Sequence, residues 1–440
     1  MMSPAVSKRL LSLDLFRGLT IAAMIIVNNL GSGQEGARFR ALVHSEWHGC
    51  TPADLIFPFF VFIVGVAAVF SLGHRAQTKG RNLLPVYRHI FSRTLKIFLL
   101  GLLVTFACGW LFQALCPPAE TEQSLWSIFI SPPTDTDTGA FFYSLGTLRI
   151  PGVLQRLALV YLAVALLTLH SRWRTQALAA AALLLGYWGL MSLTGFGLEA
   201  GADLGANLDR LIFGHDHLYL RNWDPEGLLS TLPAIATGLL GALTGHWLKS
   251  ERTGRRKLMG LLLFGVIGIA AGKIWGLTFP INKNLWTSSY VLYTGGFALL
   301  FLGALYYWFD LRKAAASWAS PFIWLGTRPL LAYVGSQIMF LALYTLYLGN
   351  PWEHTNFLTL IHQALFGEHW DILGETAWRD PRWPSLYWGL VCLSFWTLLV
   401  GPLPRRLAAL KPAARKMVAS MRKVEYWGDP EHLPGGYLGG

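Results

Sequence analysis

Residues 44–58 place two histidines and two carboxylates between long apolar runs: His44, Glu46, Trp47, His48, Cys50, Thr51 and Asp54, closing at Pro58. Titratable groups at a membrane rim are costly to place and mark functional positions. Histidine changes charge near neutrality, so it serves as general base, general acid or acyl acceptor. A spacing of four puts His44 and His48 on one face of a helix, which is also the spacing of a metal-ligand pair. No third ligand stands beside them and no CxxC or Cys/His spacing occurs among the four cysteines, so no metal site is expected. Asp54 opens an apolar run three residues after Thr51. It fits a helix cap and equally a carboxylate that orients an imidazole.

Other polar residues recur at the ends of apolar runs. Asp14 and Arg17 are three apart and share a helix face, as an internal ion pair or with Arg17 left to hold a phosphate. Asn28 lies eleven residues beyond Arg17, about 16 Å along a helix, level with the loop that carries His44. Its amide suits a carbonyl oxygen or the orientation of a histidine. Arg149, Gln155 and Arg156 cluster at the start of another run, with the two arginines two helical turns apart. A buried arginine needs a partner or a polar cavity, so either an interhelical pair with Asp14 or Asp54 or a tunnel beside this helix is expected. His215, Asp216 and His217 alternate like metal ligands, while Asp224-Pro225-Glu226-Gly227 reads as a turn into the next helix. Asn282, Lys283 and Asn284 form a compact polar group just before another apolar run.

The elements that position these groups are membrane helices. Of 440 residues, 53% are hydrophobic and 14% charged, with a mean hydropathy of +0.43. A soluble chain carries about a quarter charged residues. Apolar runs of about 20 residues recur along the length and place ten spans, at 12–30, 53–72, 90–112, 150–170, 175–194, 228–248, 256–277, 285–309, 322–347 and 385–403. The fold class is all-α and polytopic. The net charge of +12 is a topology signal rather than a nucleic-acid footprint. Leaving aside Arg149 at a span edge, alternate loops hold 22 Lys and Arg against seven on the other side. The excess puts both termini in the cytoplasm, where it also suits anionic lipid or a phosphate-bearing cofactor. The first run, lacking a small-residue cleavage site, reads as an uncleaved signal anchor. Seventeen of the 24 acidic residues fall in the opposite loops, among many aromatic and amide side chains. That mixture suits carbohydrate, although aromatic belts and solvated loops account for single residues equally well. One transmembrane domain over 1–410 is expected, followed by a basic cytoplasmic tail over 411–440. Cys50 and Cys116 fall on the same side and could pair.

The motifs, taken together, resemble the transmembrane heparan-α-glucosaminide N-acetyltransferase family and its bacterial members. The resemblance rests on Ser12-Leu13-Asp14-Leu15-Phe16-Arg17-Gly18 with Val27-Asn28, His44 through Pro58, Arg149 through Arg156, Asp209 through Tyr219, Asp224 through Gly227 and Pro280 through Trp286. It covers roughly residues 10–300. Gly326-Thr327-Arg328-Pro329 departs from the family's asparagine-bearing pattern in the ninth span. The resemblance implies a multi-pass enzyme of a bacterial inner membrane that moves acetyl from cytoplasmic acetyl-CoA to the amino group of a glucosamine-type sugar on the far side. His44 and Asn28 take the places of the family's active-site histidine and asparagine, with Asp54 or Glu46 fixing the imidazole. Arg17, Arg149, Gln155 and Arg156 are then expected along the cofactor. Trp47, His48, Asp209, Asp224, Glu226, Asn282, Lys283 and Asn284 are expected towards the acceptor. A homodimer is implied by the resemblance alone. The competing reading, without a need for a histidine at the rim, is a secondary transporter of a sugar or amino sugar.

Overall fold

The structure is a computed structural model and describes residues 10–30, 38–79, 83–115, 147–219, 221–314, 317–345, 361, 380 and 382–401. Twelve helices are described: α1 (Leu11–Asn28), α2 (Ile56–Lys79), α3 (Leu84–Leu115), α4 (Val153–His170), α5 (Trp173–Leu193), α6 (Leu204–Phe213), α7 (Thr231–Lys249), α8 (Gly254–Trp275), α9 (Ser288–Leu305), α10 (Ser320–Thr327), α11 (Pro329–Thr345) and α12 (Arg382–Val400). Among the described residues eight helices are long and apolar enough to cross a membrane. These are α1, α2 with the turn before it, α3, α4, α5, α8, α9 with its extension, and α12. They answer eight of the ten expected spans.

The other two differ for physical reasons. The sixth, α7, carries Thr231, Thr237, Thr244 and His246. It packs against α2, α4 and α5, so protein surrounds much of it and polar positions are tolerated. Small residues let it approach closely: a Cβ on Gly65 of α2 would collide with the carbonyl of Gly238. The ninth expected span is two helices. α10 ends at Arg328, whose φ of −133° and ψ of 52° leave the helical region, and Pro329 begins α11. A residue before proline is pushed out of the α region by the ring, so the Arg328-Pro329 step breaks the span midway.

α1 is the axis of the site. It contacts α2, α9, α10, α11 and α12. A Cβ on its Gly18 would overlap the carbonyl of Phe322, so α10 lies directly against it. Its first turn is capped from far along the chain. The helix at the end of α9 widens into a π-turn over Tyr306–Leu311. There the Asp310 carboxylate accepts the Leu11 and Ser12 N–H groups at 3.1 and 3.2 Å. Those N–H groups have no partner inside their own helix, and a carboxylate suits the positive end of its dipole. Cys116 and residues 402–440, which carry the expected pairing with Cys50 and the tail, lie outside the described residues.

Candidate active site

The loop over residues 43–51 folds back because its backbone is tied at both ends. The Gly49 N–H donates to the Ile281 carbonyl at 2.7 Å, and the Thr51 hydroxyl to the Val43 carbonyl at 2.7 Å. Asp54 sits in the single turn Pro52–Leu55 that leads into α2. Its side chain is fully buried. Oδ2 accepts the N–H groups of Thr51 (2.9 Å) and Ser45 (3.1 Å) and the Thr51 hydroxyl (3.1 Å). Oδ1 lies 2.8 Å from His44 Nδ1. Capping and orientation, alternatives in the sequence, are therefore performed by the two oxygens of one carboxylate. Glu46 is exposed.

Lys283 completes the cluster. Its Nζ is 3.0 Å from His44 Nδ1 and 3.6 Å from Asp54 Oδ1, with the side chain 19% exposed. Burial pushes its ammonium below the usual lysine range, opposed by Asp54 and Glu226. The neighbouring thiol of Cys50 is pushed up to about 12, by burial first and then by Asp54. Asn282 is fully buried and builds the turn that presents Lys283. Its side-chain oxygen accepts the Leu285 N–H at 2.9 Å, and its amide lies 3.3 Å from His48 Nδ1. Asn284 is half-buried in the same turn. Trp47 donates its indole N–H to the Leu198 carbonyl and meets Trp223 edge-on at 5.2 Å. The rings of Trp47 and His48 lie 6.4 Å apart.

Arg149, Asp224 and Glu226 form a second polar knot. Arg149 precedes α4 rather than lying on it, because the helix starts at Val153 after Pro151 and Gly152. Its Nε and Nη2 reach Asp224 at 2.8 and 2.6 Å, and Nη2 reaches Glu226 at 2.5 Å. The guanidinium also lies over the Tyr219 ring, 4.7 Å from its centre. Arg156 pairs with neither Asp14 nor Asp54. Its Nη2 donates to the Gly227 carbonyl and the Ser230 hydroxyl, and its guanidinium lies 5.0 Å from the centre of the Trp286 ring. Trp286 in turn meets Phe57 and Tyr290, and the Tyr290 hydroxyl donates to the Asp54 carbonyl at 2.6 Å. The buried arginine thus braces the turn under His44. Asp209 accepts the Leu228 N–H at 2.9 Å, and burial raises its carboxyl to about 6. His215 and His217 bond the carbonyls of Arg221 and Leu148 through Nδ1, each at 2.8 Å. Among the described residues no group of three or more His, Cys, Asp or Glu is arranged to hold a metal.

At the opposite end of α1 lies a cavity of about 670 Å³. Asp14 and Arg17 of α1, Arg93 of α3, Tyr161 of α4 and the Gly326–Leu331 break line it, with apolar walls from α2. Arg17 is 3.7 Å from Asp14 and donates to the Gly326 carbonyl; Arg328 donates to the Val400 carbonyl; Arg93 lies over Tyr161. A separate void of only about 10 Å³, room for about one water, lies further along α1 by Ile21 and Met24 and shares Phe60, Leu157, Pro329 and Leu330 with the larger cavity. It ends against Phe57, one turn along from Asp54, and Val153. Gln155 and Arg156 line neither cavity: Gln155 points towards Gly101 of α3 and Arg156 towards α7. Asn28 is half-buried at the last turn of α1. Arg93 is not singled out by the sequence, and Arg328 stands out there only as part of a departure from the family's pattern. The signals for them were a cation one turn inside an apolar run and a proline in the middle of one.

The family model for the catalytic region of heparan-alpha-glucosaminide N-acetyltransferase matches residues 9–115. That segment holds α1, the His44–Asp54 turn, α2 and α3. The chain is similar to the human heparan-alpha-glucosaminide N-acetyltransferase, 27% identical over 396 residues, which cover 76% of this chain and 53% of the relative. It is 28% identical to the mouse protein of the same name over 395 residues, 76% of this chain and 54% of that one. The chain therefore spans about half the length of the curated relatives it matches.

Proposed function

We propose that this chain, a multi-pass relative of the heparan-alpha-glucosaminide N-acetyltransferases, transfers acetyl from cytoplasmic acetyl-CoA to the amino group of a glucosamine-type sugar on the other face of a bacterial inner membrane. One observation carries the reading. An arginine-lined cavity lies at the start of α1, and the His44–Asp54–Lys283 cluster lies beyond the other end of that helix. A nucleotide with a long slim thioester arm has that layout: anionic at one end, neutral along its length and reactive at the tip. Arg17, Arg93 and Arg328 suit the phosphates, since guanidinium groups match their geometry. The apolar side chains between the two, among them Ile21, Met24, Phe60 and Leu157, enclose a void of only about 10 Å³, so the arm would have to part them to reach His44.

At the far end His44 does the chemistry, and Asp54 holds its ring. Nε2, the nitrogen not turned to Asp54, faces the reacting groups. It either accepts the acetyl group or takes the proton of the attacking amine. Asn28, at the end of the same helix, supplies an amide N–H for the developing oxyanion. Trp47, Trp223 and His48 offer flat faces for a sugar ring. Asn284 and Glu226 offer polar groups for its hydroxyls. Arg149, Asp209 and Asp224 hold the acceptor-side loops in shape, and Gln155 and Arg156 hold α4.

The test uses the purified full chain with isotopically labelled acetyl-CoA and glucosamine. Labelled N-acetylglucosamine is expected from wild type and not from His44→Ala. Absence of transfer by wild type, or equal transfer by the variant, overturns the reading. Label retained on the protein without acceptor assigns His44 as acyl acceptor; its absence assigns the general base.

A further inference from the structure

His44 Nδ1 has two neighbours competing for one in-plane position. Asp54 Oδ1, 2.8 Å away, can only accept a hydrogen bond, and Lys283 Nζ, 3.0 Å away, donates one when charged. The other Asp54 oxygen is committed to Thr51 and Ser45. The choice at Nδ1 decides where the ring keeps its proton. If Nδ1–H donates to Asp54, Nε2 is bare and can attack or abstract. If Lys283 donates to Nδ1, the proton sits on Nε2 and the imidazole is neither nucleophile nor base.

We propose that Lys283 is a positioning residue that switches the tautomer of His44: charged, it silences Nε2, and neutral, it releases it. The inference rests on the transferase reading for its purpose and on geometry for its existence. The charged and titratable groups around Lys283 are His44 and Cys50 from the histidine loop, Asp54 from the turn before α2 and Glu226 from the loop before α7. Asp54 and Glu226 favour the charged amine and burial opposes it. Those opposed forces set a working point lower than that of a surface lysine. The device also explains why a lysine, rather than an arginine, occupies this turn. An arginine there stays protonated and would hold Nε2 silent at every working pH.

The experiment reads His44 directly and needs no acetyl transfer. The full chain in detergent is treated with diethyl pyrocarbonate across the pH range in which it stays monodisperse. Carbethoxylation of the peptide containing His44 is followed by mass spectrometry, with the peptide of exposed His215 as internal control. In wild type, His44 reactivity is expected to rise with the loss of the Lys283 proton. In Lys283→Met, which has no ammonium to hold Nε2 silent, that rise is absent and reactivity at the acid end is about tenfold above wild type. In Lys283→Arg reactivity falls about tenfold across the range and does not recover at high pH. Lys283→Gln replaces the methionine variant if that protein is not monodisperse. Neutral and arginine variants whose His44 profiles superimpose on wild type overturn the proposal. If the profiles separate while wild type transfers no acetyl group, the transferase reading fails and the switch stands. If transfer occurs with superimposed profiles, the switch fails alone.

Discussion

The two ends of α1 use charge in opposite ways. At the histidine end, carboxylates and cations are interleaved: Asp54 with Lys283 beside the His44 ring, Asp224 and Glu226 with Arg149. Asp54 accepts at both oxygens, so the geometry is stiff. At the other end three arginines and one aspartate line a single cavity. Arg17 and Arg328 also rest on backbone carbonyls, which hold a guanidinium in place without cancelling its charge. A matched, dense network fixes a reacting group to within a fraction of an ångström, as chemistry requires. A cavity with surplus positive charge suits an anion. On the proposed function, the length of α1 separates a binding task from a reacting one.

The contrast can be broken at either end. The largest effect is expected from His44→Ala, with a loss of about 10²–10⁴-fold in acetyl transfer rate and unchanged thermal stability. Asp54→Asn is expected to lower the rate too, since the ring then loses its charged acceptor. Arg149→Met is next. It leaves the fully buried Asp224 side chain without its cation, at a cost of about 3–5 kcal/mol. Its signature is a lower unfolding midpoint; a change in the KM for acetyl-CoA alone would break the distinction between the two ends.

Asp209 makes the histidine end respond to pH. Burial raises its carboxyl to about 6, opposed by the Leu228 N–H and by Arg156 and reinforced by Asp224 and Asp203. Between about pH 4 and about pH 6 the folded protein keeps a proton that the unfolded chain has lost. Stability therefore falls as pH rises through that window, by about 3 kcal/mol at most, and levels off above it. Asp209→Asn keeps an acceptor for Leu228 and is expected to remove that slope, read as the difference between variant and wild-type unfolding across pH. The smallest effects belong to the cavity. Arg17→Ala and Arg328→Ala are each expected to raise the KM for acetyl-CoA about tenfold with kcat nearly unchanged, because they remove binding felt equally in ground and transition states. A fall in kcat with constant KM would move these arginines to the chemical step.

Much of this was legible along the chain because membrane helices announce themselves locally. Eight spans followed from apolar length alone. Asp54 was readable as cap and orienter because both roles depend on neighbours in sequence, Thr51 and the histidine loop. Arg149 was misplaced onto a helix because helix starts are blurred by Pro151 and Gly152, and its true partners lie some 75 residues on. α7 was readable as a helix but not as one enclosed by protein, since its small residues acquire meaning only against α2. The broken ninth span was visible in Arg328-Pro329 but was passed over as a departure from pattern.

The sequence by itself determined an all-helical membrane protein, the residue types of its histidine loop and the family it resembles. These depend on composition, on hydrophobic length and on residues close together in the chain. Tertiary structure decided which groups meet. It brought Lys283 to a histidine 239 positions away, set Arg17 against the Gly326 carbonyl and gave Arg156 to the loop before α7. Such contacts depend on how helices cross, and crossing is settled by packing between surfaces that the linear order does not encode.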